Sequence, residues 1–498
     1  MLNNIEKLGK KESILYRTYG CKETLLLFYL GALPMVIVIN AFFSKVPGVE
    51  YAVSFIISAS YFFSFYFICI YKGPCSIANL FWLCLGLFGV LRFVLYVFGI
   101  FDFTNSAFSK FTAFVWERET VVKVASYYMI FMAIFSNVAI SSFENKISES
   151  MNDHTAFTFS HIQKPVYLLF YFLAPYTAFL YYKQARAVIK LGYTNIYNGG
   201  LGAAFSIGIL SRLAMLVFTI AFYVIVCFER RLKYFDIAAA CYLCVKAVPL
   251  LQGSRAIFIT SIMTIAFLRF ALFNKSISFK WIIAGSIVCI PGLVMISYIR
   301  NGISISEINI IDTYKKFVVD LSGSLNVVAY YLQNKSLLPD NVYPYILEPI
   351  VRIVQYLNNI AIYKMGQSLD MVAIRYNLGH QLSFAISTDY YLSGANVASN
   401  FIAEMAEFGI LGVAGFSFLI SILIDYVERA IIKRNAFFLF MSVEFCSKIF
   451  MLPRAEAFYD TYNLAKYGAC FIALFIVARV IEDRFRLTAI SGIALQKH

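Results

Sequence analysis

The chain has 498 residues, of which 60% are apolar and 14% charged, with a formal net charge of +14. A soluble protein carries about 25% charged residues, so the composition excludes an ordinary soluble domain and indicates a polytopic helical membrane protein. Lys and Arg sit mainly in short connections between apolar runs, which is the positive-inside pattern and not a nucleic-acid surface.

Apolar runs of about 20 residues predict twelve spans, near 24–43, 51–71, 78–100, 121–142, 165–182, 203–228, 234–252, 256–273, 281–299, 398–424, 435–452 and 465–482. The first follows a basic stretch (Lys7, Lys10, Lys11, Arg17, Lys22) with no small-residue cleavage site, so it reads as a retained signal anchor. An even count places both termini in the cytoplasm. Basic clusters at Arg230 to Lys233, Lys275 to Lys280, Arg429 to Arg434, and Arg484 with Arg486 support that side. Residues 183–200, with Lys183, Arg186 and Lys190, fall on the other side. Either an early span is miscounted or tilted at the interface, or these charges face an anionic ligand.

Cys241 and Cys244 form a C-x-x-C inside a predicted span without a partner pair, so they read as structural thiols. Charges inside spans each need a reason. These are Arg92, Arg212, Asp236, Lys246, Arg269, Glu404, Glu407, Glu444 and Lys448. Glu444 and Lys448 are one helical turn apart and are expected to pair. Arg269 is expected to snorkel to the cytoplasmic side. Lys246, near mid-membrane, needs a partner on another helix.

The polar interruption at 300–397 carries seven Lys/Arg and seven Asp/Glu. It is too polar to span and too apolar to be disordered. Residues 312–333 (Phe317, Val318, Leu321, Leu325, Val328) and 344–363 (Ile346, Ile350, Val351, Ile353, Val354, Leu357) have the spacing of amphipathic helices, with Pro349 allowed near a helix start. The expected picture is a cap on the outer leaflet. Within it Arg352 lies four residues after Glu348, a salt-bridge spacing. Arg375 and His380 stand in Arg375-Tyr-Asn-Leu-Gly-His380, and Asp389 precedes Tyr390 and Tyr391, a set suited to sugar. Glu404 and Glu407 share a helix face at the end of the next span. Two carboxylates so close in an apolar setting disfavour each other's charge, which suits a base for a sugar hydroxyl. The bland alternative is pairing with cap arginines. Gly253-Ser254-Arg255 sits at a helix junction at headgroup level, where a guanidinium matches phosphate oxygens. The sequence has no P-loop or H-E-x-x-H, and its four His lie at 154, 161, 380 and 498, so no metal site is expected.

Gly253-Ser254-Arg255, the late outer loop and Ser399-Asn400-Phe-Ile-Ala-Glu404-Met-Ala-Glu407-Phe-Gly409-Ile-Leu-Gly412 resemble the Wzy-type O-antigen polymerases, similar in architecture to the O-antigen ligases. The ligase pattern has His where Ser399 stands. The resemblance implies an all-α, polytopic, GT-C-like transmembrane domain over 1–498, with about twelve helices and a large periplasmic loop over 300–397. It implies block transfer of a growing glycan from undecaprenyl pyrophosphate to an incoming lipid-linked unit at the periplasmic face of the bacterial inner membrane. No cofactor or metal is implied. The implied partners are undecaprenyl-pyrophosphate-linked oligosaccharides, membrane lipids, a flippase and a chain-length regulator. Arg255 would hold the pyrophosphate by its motif, with Arg300 and Arg352 added by loop position. Glu404 or His380 would be the base, and Arg375, Asp389 and Asn400 would contact substrate. A flippase or other transporter, an O-antigen ligase and a non-catalytic scaffold are the competing readings.

Overall fold

The computed structural model describes residues 22–103, 115–141, 163–191, 208–252, 255–275, 315, 318–319, 321–339, 343–358, 367–374, 376–392, 397, 399–458 and 461–495. Among them every regular element is helical. In chain order these are α1 (Lys22–Phe43), α2 (Val49–Lys72), α3 (Ile77–Val97), α4 (Arg118–Ser141), α5 (Gln163–Leu191), α6 (Ile209–Phe228), α7 (Leu232–Ala247) and α8 (Arg255–Phe273). A run of short helices follows: α9 (Ser324–Asn334), α10 (Glu348–Leu357), α11 (Leu369–Ile374), α12 (Leu378–Ile386) and α13 (Thr388–Leu392). The chain ends with α14 (Phe401–Met405), α15 (Gly409–Ile432), α16 (Ala436–Phe440), α17 (Ser442–Met451) and α18 (Thr461–Leu495).

Among the described residues, eight helices are long and apolar enough to cross a membrane, against the twelve spans expected. The expected span at 281–299 lies outside the described residues. The one at 435–452 is divided into α16 and α17, which meet at Met441. The 183–200 stretch begins as helix, because α5 runs on through Lys183 and Arg186 to Leu191.

One part of the bundle packs α2, α3, α4 and α15 together. The other packs α5 with α6, α7 with α8, and α8 with α17, and α17 also touches α3. Small residues let α3 sit close between its neighbours. At its π turn, Gly86–Val90, a Cβ on Gly86 would run into the Tyr61 hydroxyl, and one on Gly89 would lie 2.5 Å from the Tyr128 ring. Tyr61 and Trp82 stack at 5.7 Å and exchange hydrogen bonds with each other's backbone carbonyls at 3.2 Å.

The cap is tied to the bundle by Arg92. This buried guanidinium, just past the π turn, donates to Ser322 Oγ at 3.3 Å, to the Val319 carbonyl at 3.3 Å and to Asn326 Oδ1. It also stands 4.8 Å from the Phe101 ring centre. α9 is the described part of the first expected amphipathic helix, and it buries Leu325, Val328, Tyr330 and Tyr331. α10 is the second, and it leaves Ile350, Ile353, Val354 and Leu357 exposed, the face that an interfacial helix gives to lipid.

At the opposite end, Lys72 Nζ meets Asp425 Oδ1 at 2.6 Å with both side chains buried, and Arg429 meets the other oxygen at 2.7 Å. Arg269, expected to snorkel, instead pairs with Asp236 across α7 and α8 at 3.2 Å.

Candidate functional site

A cavity of about 480 Å³ lies among α5, α6, α7, α8, α17 and α18. Ligand pockets span roughly 300–1,000 Å³. Among the described residues, four cations line it, Arg212, Lys246, Lys448 and Lys466, against one carboxylate, Glu444. The surplus of positive charge inside a helical bundle is costly unless an anion shares the space. The cations come from four different helices. Arg212 is exposed on α6, while Lys246 and Lys448 are largely covered.

Lys246 finds an interhelical partner in the Tyr181 ring of α5 at 5.9 Å and a local one in Tyr242, one turn back on α7, at 5.3 Å, a cation–π arrangement. Glu444 and Lys448 pair as their spacing predicts, at 3.9 Å. Tyr223, buried on α6, donates its hydroxyl to Glu444 Oε1. Lys466 bonds Asn463 Oδ1 at 2.6 Å and faces the Tyr467 ring at 4.5 Å. Thr260, Ser261 and Thr264 of α8 complete the polar wall. Lys448 is near the end of α17 and Lys466 near the start of α18, so the cavity lies toward the 452–460 connection. That connection touches the cap, because Asn400 donates to the Pro453 carbonyl at 3.2 Å.

The second region is the cap itself. Glu404 is buried, with Oε1 accepting from Ser399 Oγ at 2.7 Å and Oε2 from the Ala457 amide at 2.8 Å. Glu407 accepts from the Tyr345 amide at 3.0 Å. Neither makes the expected pairing with a cap arginine among the described residues. His380, on α12, places Nδ1 3.0 Å from the Tyr391 hydroxyl. Asn377 caps α12, and its amide donates to Glu456. Tyr345 donates its hydroxyl to Gln381 Oε1 at 2.7 Å.

The sequence profile of the family described as O-antigen polysaccharide polymerase Wzy matches residues 24–482. The chain belongs to this family. No curated protein and no solved structure matches the chain. It is thus a multi-pass membrane protein of O-antigen polysaccharide biosynthesis.

For an O-antigen polymerase, the placement of the expected residues is uneven. Arg255 opens α8, the helix whose Ile257, Thr260, Ser261 and Thr264 line the cavity. Arg300 and Arg375 lie outside the described residues. Arg352 is bonded to Glu348, the local salt bridge its spacing allows. Asp389 is exposed at the start of α13.

Asn400 is fully buried, caps α14 by accepting from the Ile402 amide at 2.8 Å, and gives its amide protons to the Ser324 and Pro453 carbonyls, so it braces three segments. Glu404 has both oxygens in hydrogen bonds. The cavity gathers Lys246, Arg212, Glu444 and Lys448, each visible as an intramembrane charge. Lys466 lies at the edge of the expected 465–482 span and does not belong to that set of charges.

Proposed function

We propose that this polymerase extends lipid-diphosphate-linked oligosaccharide repeat units at the periplasmic face of the inner membrane, and that the cationic cavity seats the lipid diphosphate. The growing glycan leaves its undecaprenyl diphosphate and is transferred as a block to the sugar of an incoming lipid-linked unit. The observation that carries this reading is the convergence of Arg212, Lys246, Lys448 and Lys466 on one cavity within the bundle. Three lysines and an arginine around a low-dielectric space stabilise the negative charge that develops on a departing diphosphate. The first turn of α8, led by Arg255, contributes backbone N–H groups whose dipole favours an anion. We assign Arg300, from its place at the end of the 281–299 run, to the same diphosphate. The cap, with His380 and Asp389 on neighbouring short helices, is assigned to the sugars.

The test is the surface glycan of a deletion strain carrying the gene back on a plasmid. The strain alone should show lipid A-core capped with a single repeat unit, and the restored strain the full ladder. Lys246→Gln combined with Lys448→Gln should revert the ladder to single units at normal protein level. A strain showing no repeat unit at all points to a flippase or ligase. A full ladder from the double variant removes the cavity from the reaction.

A further inference from the structure

Glu444 is the one carboxylate among the described residues that line the cavity. Its two oxygens have different company. Oε1 accepts the Tyr223 hydroxyl, which fixes the side chain. Oε2 faces Lys448 at 3.9 Å, beyond hydrogen-bond reach, and the side chain keeps 13% of its surface open. Glu404 and Glu407 do not line the cavity. Glu404 has both oxygens in hydrogen bonds at 2% exposure, and Glu407 accepts the Tyr345 amide through Oε2. His380 is on the cap, bonded to Tyr391, and does not line the cavity.

We propose that Glu444 is the general base of polymerisation. This rests on the reading of the cavity as the diphosphate seat. The acceptor sugar hydroxyl passes its proton to Glu444 Oε2 while its oxygen bonds to the donor's anomeric carbon. The bond from that carbon to the diphosphate oxygen breaks, and its electron pair stays on the diphosphate. The proton then leaves Glu444 for solvent with the departing product.

Tyr181 of α5, Tyr223 of α6, Tyr242 and Lys246 of α7, Lys448 of its own helix, and Lys466 and Tyr467 of α18 line the cavity with the carboxylate, and Arg212 stands on α6. A diphosphate seated among these cations would lie in the same space as Glu444 Oε2.

The experiment uses the purified full chain. Glu444→Gln keeps the side-chain size and the acceptor for Tyr223. Binding is read with radiolabelled farnesyl diphosphate, and polymerisation with lipid-linked repeat units across a pH series. The parent should lose kcat/KM as pH falls, because a base must be unprotonated. Glu444→Gln should bind farnesyl diphosphate within about threefold of the parent, polymerise at least about 100-fold more slowly, and lose that acid limb. Polymerisation by Glu444→Gln within threefold of the parent overturns the proposal. So does loss of farnesyl diphosphate binding with the activity, since the carboxylate would then be serving the seat. Should the Gln variant not fold, Glu444→Asp decides: a slowed rate with the acid limb kept supports the base, and a parental rate overturns it. Failure of the seat itself reads differently, as a parent and Lys246→Gln that bind farnesyl diphosphate equally.

Discussion

Glu404 Oε2 accepts a hydrogen bond from the Ala457 backbone amide at 2.8 Å, joining α14 to the connection between α17 and α18. With Ser399 Oγ on its other oxygen, the carboxylate is a brace under the cap. Glu404→Ala strands a buried amide and a hydroxyl, which costs about 1–3 kcal/mol for each group left unpaired. Glu404→Gln keeps an acceptor and should retain long-chain polymer with a smaller fall in thermal stability. Thermal unfolding in detergent and the glycan ladder check both. A Gln variant with normal stability and no polymer would return Glu404 to the chemistry.

The buried Lys72–Asp425 pair predicts a different kind of loss. Removing one partner leaves a charge inside the bundle, at a cost of about 3–5 kcal/mol. Asp425→Ala should therefore lower the folded yield sharply, with Arg429 also losing its partner. Replacing Lys72 by Met together with Asp425 by Leu should recover much of the yield. Fluorescence-detected size-exclusion of the single and double variants reads this. Equal losses in both would mean that the pair is not what holds α2 to α15.

Arg92 holds Val319, Ser322 and Asn326 through three acceptors, with its guanidinium over the Phe101 ring. A lysine reaches one of them and lacks the planar fork. Arg92→Lys should therefore behave nearly as Arg92→Ala, with faster protease cleavage in 321–339 and shorter glycans. A parental digestion rate in both variants would separate the cap from Arg92.

The π turn of α3 is expected to tolerate no side chain at Gly89. A methyl group there lies 2.5 Å from the Tyr128 ring, and overpacking of this kind costs about 1–3 kcal/mol. Gly89→Ala should lower the unfolding temperature, and Tyr128→Phe should not relieve it, because the ring atom is the obstacle. Relief by Tyr128→Ala would confirm the contact.

The helices were legible because a membrane span is written in a single run of sequence. α2, α4 and α6 lie within a few residues of their apolar runs. The Glu348–Arg352 and Glu444–Lys448 pairs were legible for the same local reason, being one turn apart. The cavity was not, because its cations sit on four helices and only packing brings them together. Lys246 announced that it needed company, but nothing in the chain says that Tyr181 on α5 and Tyr242 supply it. The bracing role of Asn400 was hidden for a related reason, since its partners, Ser324 and Pro453, stand far along the chain.

The seat of the diphosphate can be read directly by photocrosslinking. A prenyl diphosphate carrying a photoreactive group beside its phosphates, irradiated with the full-length protein and mapped by peptide mass, should mark 209–228, 255–273 and 442–451. The adducts should disappear with Lys246→Gln. Adducts confined to 343–392, unchanged in that variant, would place the diphosphate on the cap and contradict the cavity.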